Sequence, residues 1–130
     1  MSHHEPEITE VQQNADDTVI TIKPRGFNIV WGKDTRYWQL PEKNRQTETA
    51  AELKQVCWLE ITGSVDVKAG NRYTIEFLVS MKPDAFGWSG CPVFMMAKDS
   101  NKLFFGLYEV WSGKWKGGLL IHNATIKVKY

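Results

Sequence analysis

The sequence predicts an all-β protein: an antiparallel β-sandwich, jelly-roll-like, with one short helix. Apolar residues recur with period two through most of the chain, and Gly- and Pro-bearing turn signals separate the runs. Only one stretch has helix-forming composition. Seven or eight short strands with turns between them must bury their apolar faces against one another, which two packed sheets achieve. At 130 residues the chain is large enough for a core without metal or disulfide staples.

Residues 1–16 are polar and acidic, with no apolar run and no cleavage-site pattern. They are expected to form a flexible tail ahead of a single domain over residues 17–130, with neither a signal peptide nor a membrane span. The tail's His3, His4 and Glu5 form a pattern that mobile termini commonly carry without using it. Asp17-Thr18-Val19-Ile20-Thr21-Ile22 then alternates as a strand should, Pro24 and Gly26 interrupt it, and Phe27 to Trp31 resumes it. Thr47-Glu48-Thr49-Ala50-Ala51-Glu52-Leu53-Lys54 is the expected helix, with Thr49 as its cap. Val56 to Thr62 reads as a strand.

From Arg72 to Lys82, Tyr73, Ile75, Phe77, Val79 and Met81 share one face, while Thr74, Glu76 and Ser80 take the other. Pro92 to Ala97, Leu103 to Trp111 and Leu119 to Tyr130 complete the strands. In the last of these, Ala124, Ile126, Val128 and Tyr130 point inward.

Sixteen basic and fifteen acidic residues leave a net charge of +1. A nucleic-acid binder usually needs a basic surplus, so RNA is a weakly supported partner. Catalytic constellations are missing. His122 is the only histidine outside the tail and has no Ser, Cys or Asp beside it in sequence. Gly117-Gly118 precedes a strand rather than a helix, which disqualifies it as a phosphate loop. No Cys/His pairs have zinc spacing, and no cofactor is implied. Cys57, in an apolar run, reads as a small buried side chain. Cys91, after Gly90, is the candidate reactive thiol and the candidate for an intermolecular disulfide.

Binding remains, and the indoles point to it. Trp31 and Trp38, seven residues apart, bracket the polar turn signal Gly32-Lys33-Asp34. Both rings are expected at the rim of the fold, side by side, where the apolar face of a sugar could stack. Asp34 and Tyr37 would take the hydroxyl hydrogen bonds. Trp58, within Val56-Cys57-Trp58-Leu59, reads as core, and Trp115 as closing a sheet corner. Trp88, between glycines, and Trp111, at a strand end before Ser112-Gly113, read as exposed and join the candidate carbohydrate site.

Three segments, Asn28-Ile29-Val30-Trp31-Gly32-Lys33-Asp34-Thr35-Arg36-Tyr37-Trp38, Val56-Cys57-Trp58-Leu59-Glu60-Ile61 and Trp115-Lys116-Gly117-Gly118-Leu119-Leu120-Ile121, resemble the plant phloem lectins, the phloem-protein-two group to which the tobacco lectin Nictaba is related. The resemblance implies a non-enzymatic β-sandwich lectin that binds N-acetylglucosamine oligomers, chitin fragments and N-glycan cores of glycoproteins. It also implies a dimeric protein of the cytosol or nucleus, found in sieve-element sap. By the same resemblance Trp31 and Trp38 stand at the two sugar-binding tryptophans, and Glu109 at a ligand-touching position. One departure is clear. Between Lys98 and Leu103 the family carries a longer stretch, where here only Asp99-Ser100-Asn101-Lys102 remains. The expected consequence is the loss of one or two strands and a sandwich that is smaller or open on one side. A structural protein of sap linked through Cys91 is the competing reading.

Overall fold

The computed structural model describes residues 3–7, 10–13, 18–42, 50–66, 70–99 and 102–129. Among the described residues ten strands form two antiparallel sheets: β1 (Val11–Gln13), β2 (Val19–Ile22), β3 (Asn28–Ile29), β4 (Trp38–Gln39), β5 (Ala51–Leu53), β6 (Leu59–Asp66), β7 (Arg72–Phe86), β8 (Phe94–Asp99), β9 (Lys102–Glu109) and β10 (Gly117–Lys129). The six-stranded sheet runs β1-β2-β10-β5-β4, with β7 on the other side of β10, and the four-stranded sheet runs β3-β6-β9-β8. The all-β sandwich predicted from period-two patterning is what the chain forms.

β6 shows how sequence sets the faces. Leu59, Ile61, Gly63 and Val65 are buried while Ser64 and Asp66 are exposed, the alternation of a strand with one face on a core. Opposite it, Leu103, Phe105 and Leu107 of β9 point inward. From the other sheet come Ile20, Ile22, Leu53, Ile121, Ala124 and Ile126. Trp38 and Phe27 are the largest side chains sealed in this core.

Two local expectations are corrected. Ala51–Leu53, read as part of a helix, is strand β5, held between Trp38–Gln39 and Leu119–Ile121. Pairing on both edges satisfies its backbone and overrides its Ala and Glu propensities. Residues 47–49 of that expected helix lie outside the described residues. A 3-10 turn is present at Pro24–Gly26, opened by Pro24 at its first position.

The segment ahead of residue 17 also differs from the expected tail. Val11–Gln13 pairs with Ile20–Ile22, and His4 is buried, exchanging backbone hydrogen bonds with Ile29. The His4 Nε2 lies 2.9 Å from the Arg25 carbonyl oxygen. Backbone pairing needs no apolar run, which is why composition missed it.

Among the described residues β7 pairs with β10 alone and β8 with β9 alone, so each has a second edge to which no described strand is paired. Val79 and Met81 of the predicted inward face are about half exposed, as are Met95 of β8 and Leu78. Val79, Met81 and Met95 border an apolar groove of about 580 Å³ that is also lined by Phe77 and Trp88.

Candidate functional site

The site begins with a run of turns over residues 29–38. Gly32 N–H bonds Ile29 O at 2.9 Å, Asp34 N–H bonds Trp31 O at 3.0 Å, and Tyr37 and Trp38 N–H both bond Asp34 O at 3.0 Å. Trp31 occupies the third position of the first turn with φ of 66°. That left-handed conformation suits glycine, and holding an indole there costs about 1–3 kcal/mol. Such strain persists only where surroundings impose it. Here the Trp31 N–H donates to His3 Nδ1 at 3.0 Å, and the His3 ring meets the indole edge-on at 5.9 Å.

The turns turn Trp31 outward, with 37% of its surface exposed. Tyr37 lies beside it, centroids 5.7 Å apart at 66°, and Trp115 lies on beyond, 6.2 Å from Tyr37 at 32°. Trp31, Tyr37 and Trp115 thus form one aromatic ridge at the edge of the sandwich. Arg36 lies over the Tyr37 ring at 5.2 Å.

Trp38 does not join the ridge. It is 1% exposed and pairs with Leu53 in the core, and its Nε1 has no hydrogen-bond partner. The expectation of two rim indoles side by side is therefore corrected: the turn faces water, but the residue closing it starts β4 and points inward. Asp34 is present at the ridge but already engaged. Its carboxylate takes the Arg36 guanidinium through both oxygens, at 3.0 and 2.7 Å, and also the Arg36 N–H at 3.0 Å. These bonds from Arg36 hold the Asp34 carboxyl below its usual range and raise the Arg36 guanidinium further. Of the two, Arg36 is the more exposed side chain, 73% against 12% for Asp34.

Glu109 is 2% exposed and closes on the fully buried Lys116, Nζ to Oε1 3.1 Å. It accepts from Ser112 Oγ, and Lys116 donates to the carbonyls of Lys114 at 2.8 Å and Cys57 at 3.3 Å. The carboxylate expected to touch ligand instead anchors the chain on both sides of Trp115. Lys116 also exchanges backbone bonds with Val56 at 2.9 Å, so Trp115 stands on a fixed base. Gly87 helps: with φ of 85° it packs on the Trp115–Lys116 backbone, where a Cβ would collide.

The remaining predictions divide. Trp88 is half-buried, its Nε1 donating to Gly117 O at 2.9 Å, and it lines the β7/β8 groove. Trp111 is 58% exposed and meets Phe94 edge-on at 5.2 Å. Among the described residues neither has a ring contact with Trp31 or Tyr37. Trp58, expected in the core, is exposed, because the bend at Cys57-Trp58 sends it out between buried Val56 and Leu59; its Nε1 donates to Glu60 at 3.2 Å. The thiols are reversed as well: Cys91 is buried, its Sγ 3.4 Å from Ser112 Oγ, and Cys57 is half-buried. Among the described residues no group of His, Cys, Asp and Glu could hold a metal, and no helix is long and apolar enough to cross a membrane. Sequence reasoning missed Trp115 at the ridge; the indole before Lys116-Gly117-Gly118 was its only signal.

The chain is an all-β sandwich with a surface ridge of aromatic rings, and comparison places it. The family described as Phloem protein 2 matches residues 17–102. The chain is 37% identical to "Protein PHLOEM PROTEIN 2-LIKE A9" of Arabidopsis thaliana over 176 aligned positions, covering 97% of this chain and 96% of that protein. It is 32% identical to "Lectin" of Luffa acutangula over 81 positions, 58% of this chain and 39% of that protein. The chain belongs to the phloem protein 2 family. An alignment of 176 positions exceeds the 130 residues present here, so the Arabidopsis relative carries residues with no counterpart in this chain.

Proposed function

We propose that this protein is a non-enzymatic lectin that binds N-acetylglucosamine oligomers along the ridge of Trp31, Tyr37 and Trp115. The observation that carries the reading is Trp31 itself, an exposed indole held at positive φ beside a second ring. Strain of that kind is kept where a function needs the ring outside. The apolar C–H face of a pyranose would lie on the indole, and Arg36 would take hydroxyl or acetamido oxygens at the ridge. Tyr37 bridges the two indoles, so an oligomer gains a second stacking surface that a monosaccharide cannot reach. The relative named as a lectin supports the same class of ligand. Trp38 supports the site from within rather than by stacking.

Titration with chitotriose, followed by tryptophan fluorescence, tests this directly. A saturable change that Trp31→Ala abolishes supports it. An unchanged spectrum at millimolar chitotriose, or full binding by Trp31→Ala, removes it.

The protein further acts as a homodimer in the cytoplasm of sieve elements. The edges of β7 and β8 to which no described strand is paired, and the apolar groove between them, favour association, since monomers rarely leave such a face bare. Light scattering across a concentration series gives twice the chain mass if so, and Met95→Lys returns the chain mass. A monomer at all concentrations refutes the dimer and leaves the lectin reading intact. Linkage through Cys91 is disfavoured by the burial of its thiol.

A further inference from the structure

We propose that the outward face of the four-stranded sheet is a second saccharide site, in which a neutral oligosaccharide lies against Thr62 and Ser64 between the rings of Phe104 and Tyr108. The inference takes its ligand class from the sugar-binding reading, but its geometry is separate from the ridge.

Register places the residues. Phe104, Gly106 and Tyr108 follow one another on the outer face of β9, opposite Ser64, Thr62 and Glu60 of β6 on one side. On the other side stand Lys98, Met96 and Phe94 of β8. Alternate residues on a strand stand roughly 6.6 Å apart, so Phe104 and Tyr108 spring from points about 13 Å apart with Gly106 between them. The result is a trough of about 540 Å³, within the usual range for small-ligand sites.

Glycine is required at position 106, beneath the Tyr108 ring. A Cβ on Gly106 would stand 2.6 Å from Ile61 O, 2.9 Å from Thr62 Cγ2 and 3.0 Å from Tyr108 Cε2. The Tyr108 ring therefore reaches in over the glycine, and any larger residue would push it off the sheet. Phe104 and Met96 are 47% and 44% exposed in the same trough. The exposed Phe104 ring and the partly exposed Tyr108 ring suit the flat apolar face of a pyranose.

The walls choose the ligand's charge. One wall is neutral and hydrogen-bonding: Asn28 Nδ2 donates to Thr62 Oγ1 at 3.3 Å, which leaves the threonine proton and the asparagine carbonyl to meet sugar hydroxyls. Ser64 extends that row. Burial and the Glu60 carboxylate raise the Tyr108 phenol above its ordinary range, so it stays a donor at physiological pH. Lys98 is the one cation lining the trough among the described residues, too little for a phosphorylated or polyanionic ligand.

The test is a backbone-amide NMR titration of the full chain with chitotriose and, separately, cellotriose, repeated on Trp31→Ala and on Phe104→Ala/Thr62→Val. Saturable shifts at residues 62–64 and 104–108 that survive Trp31→Ala, and weaken at least tenfold in the trough variant, support the proposal. Shifts confined to residues 31–37 overturn it while sparing the ridge. Shifts confined to the trough uphold it and refute the ridge instead. Silence with both sugars overturns both. Broadening of residues 94–98 and 104 on concentration without sugar, with no sugar-induced shift there, assigns the face to a second copy and overturns it too. Thr62→Val and Phe104→Ala alter outward side chains, and thermal melts of the variants would confirm that the fold is kept.

Discussion

The Nζ of Lys116 lies 3.1 Å from Oε1 of Glu109, and neither side chain reaches water. Glu109 ends β9 and Lys116 sits at the entry to β10, so the pair ties together the two ends of the loop that carries Trp111 and Trp115. A ring can present a stable face to a ligand only if its backbone is fixed, and this pair fixes it.

Removing one partner should therefore be far worse than removing both. Lys116→Met strands the Glu109 carboxylate in the core and should cost about 3–5 kcal/mol. Glu109→Leu combined with Lys116→Met should recover much of that loss, because no buried charge is left unpaired. Urea denaturation of the two single variants and the double variant measures the coupling. Additive losses would show that the pair is not acting as a unit.

Glu109 also predicts a pH dependence. Burial alone would push its carboxyl up, but the bonds from Ser112 and Lys116 and the lysine's charge outweigh burial and set it below the ordinary value of 4.5. A carboxyl whose folded pKa is depressed binds its proton more tightly in the unfolded chain. Its stabilising contribution is therefore complete above pH 4.5 and is lost as pH falls through the folded value. The urea midpoint of the native protein should fall on acidification below that point. Glu109→Gln should start lower and show a shallower acid limb. Parallel acid limbs for the two proteins would assign the effect to other carboxylates.

The alternation from Tyr73 to Met81 and from Ala124 to Val128 announced long strands, and β7 and β10 extend over both. What the sequence could not show is which strands pair. Ala51-Glu52-Leu53 has helical propensity and becomes a strand because Trp38–Gln39 and Leu119–Ile121 flank it. Val11–Gln13 looks like a polar tail and becomes a strand because Ile20–Ile22 has a free edge. The candidate site was legible as a segment but not residue by residue. Trp31 and Trp38 carry the same side chain near the same turn, and only the start of β4 at Trp38 sends one indole inward. The proximity of Trp115 to Tyr37 depends on the Val56–Lys116 bridge, a long-range contact with no local signature.

The two indoles should consequently separate on substitution. Trp38→Ala empties a sealed core position and should cost about 3–5 kcal/mol. Trp31→Gly removes an exposed ring and relieves a positive φ, with the gain offset by the roughly 0.5–1 kcal/mol of backbone freedom that glycine restores to the unfolded chain. Its stability should stay close to native while chitotriose binding disappears. A large loss of stability in Trp31→Gly would mean that the ridge packs for the fold's sake rather than for a ligand.

The thiols offer a prediction contrary to the sequence-based expectation. Cys91 is 3% exposed, and its Sγ sits 3.4 Å from the Ser112 hydroxyl that also serves Glu109. Although it lines the β7/β8 groove, so little of it is exposed that its modification should be slow and should accelerate in urea as the loop anchored by Lys116 opens. Cys57 is half-buried beside the exposed Trp58 and needs a smaller opening. With an aromatic disulfide reagent, Cys91→Ser should retain the fast phase and Cys57→Ser the slow one. Lys116→Met, by loosening the loop, should speed the slow phase while leaving the fast one as it was. If Cys91 proved the faster thiol in the native protein, the Glu109–Ser112–Lys116 anchor would be open in solution and the fixed base under Trp115 would go with it.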